Sequence, residues 1–159
     1  TFNKPVSYPF GHGLSYTTFK YETPTVIPKK GGYLVKVRVS NVGQREGREV
    51  VQLYVSAPSK SGGEKPLREL KAYKKTAMLM PGERELLVFQ IPAQDLAYYD
   101  ESTQSWTLDK GVYSFEVAAS SRDVHASALV DIKHKAWKTS AKLPIPDPPL
   151  TVMSLPATR

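Results

Sequence analysis

Tyr33-Leu34-Val35-Lys36-Val37-Arg38-Val39-Ser40 decides the fold. Tyr33, Val35, Val37 and Val39 fall on one face and Lys36, Arg38 and Ser40 on the other, the two-residue period of a half-buried β-strand. Asn41-Val42-Gly43 brings turn chemistry at its end. Downstream, Val51, Leu53 and Val55 are expected inward against Gln52 and Tyr54 outward, and Pro58 closes that strand. Residues 86–91 alternate again, Leu87, Phe89 and Ile91 against Leu86, Val88 and Gln90, and apolar content on both sides predicts a strand covered on each face. After Gly111, Tyr113, Phe115 and Val117 point inward and Ser114 and Glu116 outward, and a last strand is expected over about 124–132.

With strands near residues 17–22 and 70–78 the total is about seven, separated by turn signals and without an amphipathic helix. The expected fold is all-β, an antiparallel two-sheet sandwich of the immunoglobulin-like kind. An all-helical chain is excluded by the period of two and by the crowding of β-branched and aromatic residues. A doubly wound α/β fold is excluded because the gaps are short or rich in proline and glycine, leaving no room for crossover helices.

The ends differ in kind from this middle. From His134 onward the chain holds five of its thirteen prolines, at 144, 146, 148, 149 and 156, which favour extended backbone. An extended Pro-rich arm is expected over 134–159, either a disordered terminus or, given Trp137, Leu143, Ile145, Leu150, Val152, Met153 and Leu155, a segment docked on the domain or a neighbour. At the other end, Tyr8-Pro9-Phe10-Gly11-His12-Gly13-Leu14-Ser15-Tyr16-Thr17-Thr18-Phe19 couples a glycine-pinned aromatic turn to the first strand. Gly11 and Gly13 allow a tight fold around His12, while Phe10, Leu14 and Tyr16 offer apolar surface that needs a partner. The domain organisation read from this is a linker over 1–16, a sandwich over 17–133 and the extension over 134–159.

The 159 residues suit one domain with extensions, and 40% hydrophobic with 23% charged residues is the balance of an ordinary globular chain. No apolar run approaches the roughly 20 residues of a membrane-crossing helix. The chain starts at Thr1 with no leader, which reads as a mature product or an excised piece. With no cysteine there is neither a disulfide nor thiolate chemistry. The net charge of +7 raises nucleic acid as a partner, but Lys29-Lys30, Lys71, Lys74-Lys75, Lys133, Lys135 and Lys138 are dispersed and no binding module accompanies them, so a solvated surface is the reading and no nucleic acid is expected.

Catalytic chemistry finds little to use. A glycosidase needs two carboxyls about 5 to 10 Å apart, and Asp95, Asp100, Glu101 and Asp109 lie in a turn-rich stretch where acids cap turns or face water. His12, His125 and His134 lack metal-ligand spacing, and no nucleophile elbow, phosphate loop or calcium loop is present, so no catalytic residue, cofactor or metal is expected. His12 is either a turn histidine satisfied by nearby backbone or a contact across a domain boundary or to a sugar. Tyr98, Tyr99 and Trp106 cluster in sequence and are open to two readings, completion of the core or a platform on which a sugar ring stacks.

Four segments together resemble the C-terminal fibronectin type III-like domain of glycoside hydrolase family 3 enzymes. They are residues 9–17 (Pro-Phe-Gly-His-Gly-Leu-Ser-Tyr-Thr); residues 37–43 with Glu49-Val50-Val51-Gln52-Leu53-Tyr54-Val55; residues 65–75 continuing to Pro81-Gly82-Glu83; and the run from Asp95-Leu96 through Tyr99-Asp100 and Trp106 to Gly111-Val112-Tyr113 and residues 120–123. Ala72 and Ala119 stand where that family often has glycine. The resemblance implies a fibronectin type III-like sandwich serving as a non-catalytic accessory part of a β-glucosidase- or β-xylosidase-like enzyme, since the family's catalytic residues lie in domains that no part of this chain resembles. It further implies a domain interface at Phe10, Gly11, His12, Gly13, Leu14 and Tyr16, catalytic domains of the same polypeptide as partners, and a periplasmic or secreted bacterial location; an oligosaccharide is a further partner on the platform reading of Tyr98, Tyr99 and Trp106. The rival is a carbohydrate-binding or adhesion module acting alone.

Overall fold

In the computed structural model, which describes residues 5–58, 66 and 68–138, the alternating runs form strands wherever one face can be buried. In chain order they are β1 (Phe19–Tyr21), β2 (Thr25–Lys29), β3 (Gly32–Asn41), β4 (Val50–Ser56), β5 (Glu69–Lys75), β6 (Arg84–Pro92), β7 (Tyr98–Asp100), β8 (Ser105–Leu108), β9 (Gly111–Ser120), β10 (Asp123–Ile132) and β11 (Lys135–Lys138), with one 3-10 turn at Ala93–Leu96. All pairings are antiparallel. In the first sheet β3 lies between β6 on one edge and β2 and β1 on the other. The second sheet runs β10-β9-β4-β5, and a small third sheet runs β11-β8-β7.

The core lies between the first two sheets. Val35, Val37 and Val39 of β3 are buried with Leu87, Phe89 and Ile91 of β6, and they face Val51, Leu53 and Val55 of β4 and Tyr113, Phe115 and Val117 of β9. Tyr33 reaches across the gap to Phe115 with ring centroids 5.8 Å apart. Burial pushes the Tyr113 hydroxyl up to about 12, with the nearby Asp109 charge adding to it.

Asn41, the residue expected to end β3 as a turn, is the strand's last residue and is fully buried. Its side chain accepts from the Thr17 hydroxyl (2.7 Å) and the Gly43 N–H (3.1 Å) and donates to the carbonyls of Arg45 (2.7 Å) and Leu79 (2.8 Å). Three separate loops are thereby tied to one buried amide, whose polar atoms all have partners as burial demands.

Two expectations are corrected. Gln52 and Tyr54 do point away from the core face of β4, yet they are buried, because β4 is an interior strand whose outer side is covered. The Tyr54 hydroxyl donates to Gln52 Oε1 at 2.6 Å, Gln52 Nε2 donates to the Ala119 carbonyl at 3.0 Å, and the Arg68 guanidinium lies 5.5 Å above the Tyr54 ring. Conversely β6 is covered on one face only. Leu86 is 48% exposed and Gln90 is exposed, both on the face of β6 turned away from the second sheet.

The seven expected strands correspond to β1, β3, β4, β5, β6, β9 and β10, and four short ones join them. β2 carries Pro28, tolerated because the strand pairs on one side only. β7 and β8 form a hairpin over a turn in which Gln104 adopts a left-handed φ of 48°. β11 adds to the free side of β8. The Pro-rich extension expected over 134–159 lies outside the described residues from 139 onward.

Candidate functional site

The junction before β1 is pinned at its backbone and open at its side chains. The His12 N–H closes a turn onto the Pro9 carbonyl at 3.0 Å, and the Ser121 N–H, in the β9–β10 turn, donates to the Phe10 carbonyl at 2.8 Å. Gly11 has φ +78° and backs directly onto Gln52, so a Cβ there would overlap the glutamine amide as well as strain the backbone. Gly13 has open space around it. Around this anchored backbone Val6, Tyr8, Phe10, Leu14 and Tyr16 are all exposed, Leu14 at 94% and Tyr16 at 89%. Of the expected interface residues, His12 meets Tyr8 with tilted rings, centroids 5.4 Å apart, Gly11 is held against Gln52, and the side chains of Phe10, Leu14 and Tyr16 are exposed.

Below the junction is an open cleft of about 420 Å³, walled by Leu14, Phe19 and the charged groups of Arg48, Glu49, Asp123 and His125. At its floor the Tyr21 hydroxyl donates to Glu49 Oε1 at 3.0 Å, and the Tyr21 ring stacks on His125 at 4.2 Å and 11°. His125 Nε2 in turn lies 3.5 Å from Asp123 Oδ2. Burial holds the Glu49 carboxyl above its ordinary value, against the lowering effects of the Tyr21 hydrogen bond and the His125 charge. The Tyr21 hydroxyl is raised by burial first and by the Glu49 charge second. Each carboxylate thus has a partner inside the domain, and the chain of contacts braces β1 against β4 and β10.

The third sheet carries the aromatic cluster. Tyr99 is opposite Trp106, and Trp106 is opposite Trp137, so the three side chains form one row on one face. Tyr99 and Trp106 meet edge to face at 5.7 Å and 66°. Tyr98 faces the other way, half-buried, with its hydroxyl hydrogen-bonded to the Asp109 carboxylate. The structure therefore groups Tyr99 and Trp106 and separates Tyr98 from them. Asp100 is held in the hairpin turn by the N–H and hydroxyl of Ser102, which lower its carboxyl below the usual range. Among the described residues no three His, Cys, Asp or Glu side chains gather as a metal site, and no helix is long and apolar enough to cross a membrane.

This geometry has close parallels. The family described as fibronectin type III-like domain matches residues 49–121, from the start of β4 to the β9–β10 turn. Beta-glucosidase A of Butyrivibrio fibrisolvens is 38% identical over 152 residues, covering 84% of this chain and 18% of its own length. A β-glucosidase of Rhizobium radiobacter is 39% identical, covering 79% of this chain and 15% of its own. Among solved structures, β-glucosidase 3B from Thermotoga neapolitana in complex with glucose superposes with a TM-score of 0.79 at 39% identity, over 87% of this chain and 19% of that one. The GH3 β-glucosidase of Bifidobacterium adolescentis gives 0.78 at 33% identity, over 98% and 22%. The chain carries a fibronectin type III-like domain and over most of its length is similar to one part of β-glucosidases.

The fibronectin type III-like domain spans less than a fifth of the length of the two curated relatives. Within it, sequence reasoning missed the Tyr21, Glu49 and His125 cluster and the place of Trp137. The cluster's members are 28 residues or more apart in the chain and carry no spacing signal, and Trp137 reads as tail until β11 pairs with β8. Ala72 and Ala119 both fit regular strands, Ala72 paired with Leu53 beside a register shift.

Proposed function

We propose that this fibronectin type III-like domain is a non-catalytic accessory of a β-glucosidase- or β-xylosidase-like glycoside hydrolase, packed on catalytic domains of the same polypeptide through Phe10, Gly11, His12, Gly13, Leu14 and Tyr16 and bordering the sugar site. The observation that carries the reading is the junction itself, a backbone fastened to the second sheet that presents five large apolar side chains to the outside. A preorganised apolar surface loses little freedom on docking, and burying each such side chain stabilises by roughly 1.5 to 3 kcal/mol. The named similarity to β-glucosidases several times longer supports the same reading.

The test compares two contexts. Leu14→Asp with Tyr16→Asp is expected to leave the melting temperature of the isolated chain unchanged, because neither side chain is buried in it, and to lower both melting temperature and glycosidase activity of the longer polypeptide. Equal melting temperatures in the longer polypeptide would sink the interface. The isolated chain is expected to turn over no nitrophenyl glycoside, and turnover by clean protein would reverse the accessory role. The rival, a stand-alone carbohydrate-binding module, draws on the exposure of Tyr99 and Trp106, and saturable binding of cello- or xylo-oligosaccharides in isothermal titration would favour it. A periplasmic or secreted bacterial location goes with the proposed role, and cell fractionation checks it.

A further inference from the structure

The row Tyr99, Trp106 and Trp137 crosses a sheet only three strands wide, about 10 Å at the usual spacing between strands, with Trp137 half-buried against the core and the other two rings open. Tyr99 is 43% and Trp106 45% exposed, a costly arrangement for rings of this size if nothing covers them. The structure describes the chain as far as Lys138, one residue beyond Trp137, and 21 residues, 139–159, follow it in the sequence. Their sequence includes Leu143-Pro144-Ile145-Pro146-Asp147-Pro148-Pro149-Leu150.

Aromatic-lined surfaces take proline-rich segments. Pyrrolidine rings stack their C–H faces on aromatic faces, and a chain already restricted by proline loses little freedom on docking. A polyproline run covering 144–149 would reach roughly 19 Å, enough to cross all three strands after a turn from β11. Charge favours the same meeting, since Asp147 is the one acidic residue after Asp131 and β11 carries Lys135 on the same face as Trp137.

We propose that residues 143–150 of this chain dock on the Tyr99, Trp106 and Trp137 face, prolines against the rings and Asp147 toward Lys135. The face is then an intramolecular cradle, and the proposal stands independently of the junction's role.

Trp106 and Trp137 are the only tryptophans in the chain and it has no cysteine, so both reporters and label are unique. A nitroxide attached through Thr151→Cys in the full chain is expected to broaden the Trp106 indole N–H resonance and the Tyr99 amide, both on strands away from the tether. Replacing Pro144, Pro146, Pro148 and Pro149 together by serine is expected to abolish that broadening while the β9 and β10 amides keep their positions, which shows the fold intact. Broadening confined to β11, or broadening that survives the four serines, overturns the proposal. So does broadening that arises only between labelled and unlabelled molecules, which would assign the face to a second copy. Indole shifts on adding cellohexaose to a chain that shows no broadening would assign it to a sugar and overturn the proposal as well.

Discussion

Glu49 is a half-buried carboxyl at the floor of the junction cleft with the Tyr21 hydroxyl on one oxygen. Its native proton affinity is raised, chiefly by burial. The folded chain then binds this proton more tightly than the unfolded one, so stability is greatest below the unfolded carboxyl value of 4.5 and falls as pH rises through the higher native value. Glu49→Gln keeps an acceptor for Tyr21 and removes the charge. Its stability relative to the parent is expected to increase with pH across that window and then level off. Denaturant midpoints at about pH 4 and about pH 7 check this, and a constant difference between the two proteins would refute it. Nothing local in Arg48-Glu49-Val50 marks the residue for this role, because the burial comes from β1 and from His125 on β10.

At the scale of elements, β6 and β4 show how the covering of a face overrides residue pattern. Both alternate, and both place apolar side chains inward as their sequences predict. Their outer faces go opposite ways because that of β4 is covered by the junction and Arg68, whereas that of β6 leaves Leu86 and Gln90 exposed. Leu87→Ala, at 3% exposure, is therefore expected to cost about 2 to 5 kcal/mol. The adjacent Leu86→Lys, on the open face, is expected to change stability by less than about 0.5 kcal/mol. Thermal or denaturant unfolding of the pair checks the orientation, and comparable losses for both would place a covering layer over β6.

The whole molecule is held by contacts between its sheets, and the junction, cleft and aromatic row all lie on the outside of that core. Phe115, fully buried on β9, meets Tyr33 of β3 across the gap at 5.8 Å. Phe115→Ala is expected to cost roughly 3 to 5 kcal/mol, and a double-mutant cycle with Tyr33→Ala is expected to show coupling of about 0.5 to 1.5 kcal/mol, since tilted ring pairs contribute beyond their area. Additive losses would mean that the two sheets do not share this contact. The inner faces of β3, β4, β6 and β9 were legible in the sequence because alternation is a local property, written in neighbouring residues and enforced by the geometry of any strand. So was the likeness to one part of β-glucosidases, through segments that recur as a set. Burial of Gln52 and Tyr54, the Tyr21, Glu49 and His125 brace, and the alignment of Trp137 with Trp106 were not, because each depends on which distant strand comes alongside, and no short-range pattern encodes that choice.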